Sequence, residues 1–423
     1  MADTNNGRTD DERRFSKAQL TAIGIAAAIF FLDGLIHTIL GPMAPEISRE
    51  MGLDNTTLGP IFSANLMGQT IGLLSFPIIA GRYGHRVAVI IAVIGFCLAQ
   101  FATALAWDAT SLFSFRFIDG IFLGGAMPSG LAIVAKVAPK ARRGLAVSML
   151  FTGYGAGATA SGIVASAFLD AGGWRIAVGL IGCVSALTAL VAIRYLHGVD
   201  GPPEQSVGTD GQPADKDRIL DVVRPRLLAG TLLLWTLFIC MLTIQYCLSS
   251  WLPTLLVQVG RDQSFAALSV TIFSLGGIIA ALGVGILIDR FGATQVLVTL
   301  LLIATTMLFI IGQVLASASG TMLMVLLGIG GFFFLGAYGG VNVVLATYYP
   351  EALRAIGIGL TKSVGRVGTF VAPVMIGIGL DAGIAETSIM SSFALPAGVA
   401  ALSVLGIGIA ARWRQRRMAA ARL

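Results

Sequence analysis

The chain has 423 residues, of which 56% are hydrophobic and only 12% charged. Soluble domains carry about 25% charged residues, so the composition excludes an ordinary soluble enzyme and a disordered chain. The net charge of +6 does not signal nucleic acid, because the basic residues are spread along the chain by topology and not gathered into one patch.

A membrane helix needs about 20 mainly apolar residues. The first 17 residues are hydrophilic. The apolar run after them is longer than the core of a signal peptide and lacks a small-residue cleavage site, so it is expected to stay as the first membrane helix. Runs of this kind predict spans at 18–40, 56–80, 87–106, 111–135, 144–168, 174–196, 227–256, 264–288, 294–316, 320–347, 355–380 and 387–411. No segment shows the ~10-residue alternation of a barrel strand. The expected fold is therefore all-α and integral to the membrane, with twelve transmembrane helices. The expected segments are an N-terminal tail (1–17), a six-helix bundle (18–196), a linker (197–226), a second six-helix bundle (227–411) and a basic tail (412–423). The linker contains GPPEQSVGTDGQPADKD and is too short to bury a core of its own.

Lys and Arg placement sets orientation. Most of the 28 basic residues fall in the tails, the linker and the loops on their side, among them Arg82, Arg86, Lys136, Arg142, Arg143, Arg290 and Arg354. The opposite loops hold Arg49 and Arg261. Both termini are thus expected in the cytoplasm, in the plasma (bacterial inner) membrane. Arg175, beside Trp174 at an outer mouth, reads as a snorkelling interface anchor. Cys97, Cys183, Cys240 and Cys247 lie in apolar runs without metal-ligand spacing and read as small core residues. No metal or cofactor site, no ATP site and no nucleophile–base cluster is visible, so an enzyme is not expected. The expected state is a monomer in contact with membrane lipid.

The two halves repeat. GRYGHR (81–86) follows the second span and DRFGAT (289–294) follows the eighth. APKARRG (138–144) and YPEALRA (349–355) occupy matching loops. Paired six-helix halves in parallel are one transporter architecture. At these residues the chain resembles the major facilitator superfamily. Gly285, Asp289, Arg290 and Gly292 match its loop signature in the second half. Arg82, Gly84 and Arg86 match it in the first, where Pro77 and Gly81 replace the signature Gly and Asp. The resemblance implies that these residues, with Arg354, form the cytoplasmic gating motif. RFIDG (116–120) resembles the fourth-helix motif. The stretches LDGLIHTILGPMAP (32–45), GGAMPSGLAIVAKVAPKARRG (124–144) and YYPEALRAIGIGLTKSVGRVGTFVAP (348–373) are similar to the aromatic acid:proton symporter family. That family carries Asp-Gly-x-Asp in its first helix, whereas this chain has Asp33-Gly34-Leu35-Ile36.

Ionisable groups inside a span cost at least about 2.5–3.5 kcal/mol at its centre and usually face an interior cavity. Asp33 is either a proton carrier or a neutral acid bonded to His37, one turn on. Arg116 and Asp119, at i and i+3, are either a self-neutralised pair or part of proton coupling. Arg366 lies near mid-membrane. Its planar fork suits a substrate carboxylate, and the alternative is a structural ion pair. Lys362 either joins it or snorkels to the interface. Asn65, Gln69, Tyr154, Gln245, Tyr246, Tyr338 and Asn342 are either interhelical glue or polar contacts for a substrate. The expected function is proton-coupled import of a small organic anion by alternating access, and the resemblance implies an aromatic acid. The alternatives are another metabolite, export, or a membrane sensor without transport.

Overall fold

The computed structural model describes residues 15–139, 142–169, 172–196, 222 and 224–420. The first 14 residues of the expected tail, Lys140 and nearly all of the expected linker lie outside the described residues, as do the last three residues and the side chains of the basic tail. Among the described residues there are fourteen α-helices and no strand. In chain order they are α1 (Lys17–Thr38), α2 (Leu40–Met51), α3 (Asn55–Tyr83), α4 (His85–Ala104), α5 (Ala109–Val137), α6 (Arg143–Leu169), α7 (Gly173–Tyr195), α8 (Pro225–Gln258), α9 (Gln263–Phe291), α10 (Ala293–Val314), α11 (Gly320–Tyr348), α12 (Glu351–Asp381), α13 (Glu386–Ser392) and α14 (Ala394–Ala420). Among the described residues, eleven helices are long and apolar enough to cross a membrane. The fifth expected span, α6, falls outside that set although it has 27 residues, because Gly, Ala, Ser and Thr replace much of its aliphatic content.

Two of the expected spans are broken, and proline accounts for both breaks. Pro42 has no N–H to offer the Thr38 carbonyl and its ring crowds that position. The helix is interrupted at Ile39, and a second helix, α2, follows to Met51. Pro396 stands in the same relation to Ser392, and the chain breaks at Phe393 between α13 and α14. The start of α1 is set by a capping box. The Ser16 hydroxyl accepts from the Gln19 amide, and the Gln19 side chain accepts from the Ser16 amide, satisfying two otherwise orphan donors.

The chain divides into two compact units. The first comprises Met1–Leu53 with Ile61–Val207, and the second Asp54–Pro60 with Gly208–Leu423. Helix α3 thus begins in the second unit and continues in the first. Its opening turn is tied there by Asp381, which accepts from Asn55 Nδ2 (2.8 Å) and the Thr56 amide (2.7 Å).

Lipid offers no hydrophobic drive between helices, so close van der Waals packing and small residues must supply the association. In the first unit, α3 carries Gly68 and Gly72 and α5 carries Gly120 and Gly124, each pair one turn apart. A β-carbon at Gly120 would overlap the Asn65 carbonyl, and one at Gly68 would overlap that of Phe117. The second unit repeats the device between α9 and α11, where Gly331 sits against the Phe273 carbonyl. The turns after α3 and α9 also repeat. Gly84 (φ 90°) and Gly292 (φ 86°) both adopt a positive-φ conformation that side chains rarely tolerate. Each Gly amide bonds back four residues, to Ala80 and Ile288, at 2.8 Å.

Candidate functional site

The first unit buries a connected polar network. Asp119 on α5 and Gln100 on α4 are fully buried, and Asp33, Asn65 and Arg116 are almost completely so. Asp119 Oδ2 accepts three hydrogen bonds, from Arg116 Nη1 (3.0 Å), Asn65 Nδ2 (3.1 Å) and Gln100 Nε2 (3.0 Å). The Gly120 contact explains the reach of Asn65. With no side chain at Gly120, the backbone of α3 lies against α5, and a short amide can span the gap. Arg116 Nη2 donates to the Ile36 carbonyl at 3.0 Å. Ile36 is in the last turn of α1, where carbonyls lack an amide four residues on. The guanidinium therefore neutralises Asp119 and caps the broken end of α1 at once.

His37 extends the network. Its Nδ1 lies 3.2 Å from Asn65 Oδ1 and 3.4 Å from Gln69 Nε2. A protonated Nδ1 donates to the Asn65 oxygen, whereas a bare Nδ1 accepts from the Gln69 amide. The imidazole is thus placed between an acceptor and a donor, and its tautomer decides which is used. Tyr154 on α6 packs at the α1 contact, where its carbonyl faces Gly34. Among the described residues, Asp119 Oδ1, Gln100 Oε1 and Arg116 Nε are buried without a hydrogen-bond partner.

The second unit carries the basic pair. Lys362 and Arg366 lie one turn apart on α12, within electrostatic range of each other. Lys362 is exposed and Arg366 half-buried. Tyr338 on α11 lies within electrostatic reach of Arg366 and of Tyr246 on α8. Asn342 Nδ2 donates to the Tyr338 carbonyl at 3.2 Å. Gln245 Oε1 is buried without a partner among the described residues. Glycines again set the approach, since Gly365 and Gly368 of α12 face Phe238, Ile239, Leu242 and Thr243 of α8.

The structure thus joins Asn65, Gln69, His37, Arg116 and Asp119 within one unit, and brings Arg366, Lys362 and Tyr338 together in the other. Gln100 is the network member that sequence reading missed. Its only signal was being the one amide in the third expected span. The motif residues Arg82, Asp289, Arg290 and Arg354 are exposed, and the Arg82 and Arg290 guanidinia lie over the rings of Tyr83 and Phe291 at 5.4 and 5.3 Å. Gly285 has open space where a β-carbon would point. One expectation is corrected: Cys183 is exposed, not a core residue. Arg175, over the Trp174 ring, bonds Glu50 Oε1 through Nε at 2.8 Å and donates from Nη1 to the Ala104 carbonyl at 2.8 Å. The acid that holds it sits on α2, the helix the sequence reading did not separate.

The profile of the Major Facilitator Superfamily matches residues 26–373. The chain belongs to the major facilitator superfamily. It is accordingly a multi-pass membrane transporter and not an enzyme. Within the superfamily, several curated relatives are named as transporters of aromatic acids. The 3-(3-hydroxy-phenyl)propionate transporter of Escherichia coli (strain K12) is 30% identical, with 92% of this chain and 94% of that one covered. The 4-hydroxybenzoate transporter PcaK of Pseudomonas putida is 28% identical, with 94% of each covered. Among solved structures, a D-xylose-proton symporter superposes with a TM-score of 0.76 at 17% identity, covering 91% of this chain and 97% of that chain. That likeness concerns the fold.

Proposed function

We propose that this transporter imports a hydroxylated aromatic acid together with protons, by alternating access, across the plasma membrane with both termini in the cytoplasm. The observation that carries the reading is the Lys362–Arg366 pair on one face of α12. Two like charges one turn apart repel, and an anion between them relieves that repulsion while gaining charge-assisted hydrogen bonds. Tyr338, near both Arg366 and Tyr246, and Tyr246 give an aromatic ring apolar faces with a polar edge. Gln245, with its unpartnered oxygen, and Asn342 offer partners to a ring hydroxyl. The relatives named for hydroxylated aromatic acids support the same class.

Coupling falls to the first unit in this reading. Asp33 is the acid of the first helix, and Ile36 stands where the similar family has its second carboxylate. Arg116, Asp119 and His37 surround the same helix end, with Asn65 and Gln69 linking them. Tyr154 contributes from α6.

The test is equilibrium binding of a labelled hydroxybenzoate to purified protein. Arg366→Lys keeps the charge but loses the two-pronged fork. Losing one charge-assisted bond, worth about 1.5–3 kcal/mol, weakens binding roughly 10- to 100-fold. Arg366→Ala weakens it further. Wild-type affinity in Arg366→Ala overturns the assignment.

A further inference from the structure

All the donors that reach Asp119 converge on one oxygen. Oδ2 accepts from Arg116, Asn65 and Gln100, whereas Oδ1, equally buried, has no partner among the described residues. In a carboxylate both oxygens accept, so the buried Oδ1 would need a donor. In the neutral acid the carbonyl oxygen accepts and the hydroxyl oxygen donates, so Oδ1 needs an acceptor instead. The acceptor such a hydroxyl needs is present in the same pair of side chains. Gln100 is fully buried on α4, its Nε2 already bonds Oδ2 at 3.0 Å, and its Oε1 lacks a donor among the described residues. Both groups are planar, with their two polar atoms on short arms. A proton on Oδ1 directed at Oε1 would complete a cyclic amide–acid pair and satisfy both orphan oxygens. Without that proton, two buried acceptors remain unpaired among the described residues, which disfavours the structure.

We propose that Asp119 is the protonation site of the coupling network and that Gln100 is the positioning residue that holds the proton on it. This rests on the proton-symport reading above. In the protonated state, Oδ1–H donates to Gln100 Oε1 and Gln100 Nε2–H donates to Oδ2. On release, the proton leaves from Oδ1 to water and the carboxylate keeps Arg116 as counter-charge. The Arg116–Asp119 pair thus alternates between net charges of +1 and 0. Away from their terminal turns, the helices packed on α5 carry as other ionisable side chains Asp33 and His37 on α1, Cys97 on α4 and Tyr154 on α6; Lys17, Arg82, Tyr83, His85, Arg86 and Arg143 lie at their ends. Helix α3 contributes the neutral amides Asn65 and Gln69.

The test is infrared difference spectroscopy of the reconstituted full chain as pH is stepped through its transport range. Wild type should show a carboxylic-acid C=O band that disappears in Asp119→Asn. In Gln100→Leu the band should persist but shift to higher frequency, since the acid loses a donor on its C=O and an acceptor for its O–H together. Gln100→Glu, which can share the proton with Asp119, should keep the acid signal at a frequency below that of Gln100→Leu. Substrate counterflow by Gln100→Leu checks that the variant is folded. An acid band unaffected by Asp119→Asn overturns Asp119 as the site. A band lost in Asp119→Asn yet unmoved in Gln100→Leu overturns the role of Gln100. Either result leaves the symport reading standing, whereas wild-type liposomes whose uptake ignores an imposed pH gradient overturn that reading instead.

Discussion

Arg116 meets two demands that would otherwise be left open, the charge of Asp119 and a carbonyl at the broken end of α1. Only a fork-shaped cation can satisfy both from one position. Removing one partner of a buried pair costs about 3–5 kcal/mol because the other is left uncompensated. Arg116→Ala should therefore lower the thermal stability of the detergent-solubilised protein strongly. The double variant Arg116→Ala/Asp119→Asn should regain part of the loss, because the orphaned charge is gone. A double variant less stable than Arg116→Ala would show that the pair does not act as a unit. A second acid lies outside the membrane spans. Burial works against the Glu50 carboxylate, but hydrogen bonds from Arg175 and Trp174 and the Arg175 charge outweigh it and hold its pKa below the ordinary value. A carboxylate held low contributes stability that is present above its unfolded pKa and lost as pH falls through the folded one. Neighbouring Glu46 moves the opposite way, raised first by burial against the opposing bond from the Trp174 amide, so it gains as pH falls. Glu50→Gln should flatten the acid limb of a melting-temperature profile. An unchanged limb would remove Glu50 as its source.

At the scale of helices, glycine placement decides which polar groups meet. A β-carbon at Gly120 would overlap the Asn65 carbonyl, so Gly120→Ala must push α3 and α5 apart and draw Asn65 away from Asp119. Gly24→Ala on α1 meets open space and serves as the control. The expected result is lost gradient-driven uptake in Gly120→Ala with uptake retained in Gly24→Ala, and equal activity would contradict the packing account. Gly292→Ala should cost about 1–3 kcal/mol through its backbone conformation alone, even though it also faces open space. The sequence reading recovered these helices from apolar run length, yet it passed over α2 because the composition stays apolar through Pro42. It flagged Asn65, Arg116 and Asp119 because polar groups in apolar runs are conspicuous. It passed over Gln100, a lone amide whose meaning depends on a carboxylate 19 residues away in sequence. The paired glycines of α3 and α5 were equally silent, since nothing in either helix alone says which partner it faces.

At the scale of the molecule, the two units repeat their construction and differ in chemistry. The 208-residue offset that links Gly84 to Gly292 also links the back-bonds from those glycines and the Arg–aromatic pairs at Arg82 and Arg290. That much was visible as a repeated loop motif. What the repeat does not share is charge: a buried acid–base network in the first unit, and a basic pair beside tyrosines in the second. In the proposed reading, the proton falls to the first unit and the anion to the second. The most direct check is uptake of the labelled aromatic acid by proteoliposomes containing the wild-type protein, with and without an inside-alkaline pH gradient. The account predicts accumulation above the external concentration only while the gradient stands, and collapse to equilibration when a protonophore is added. Accumulation of the same extent without a gradient, or one that survives the protonophore, would contradict it.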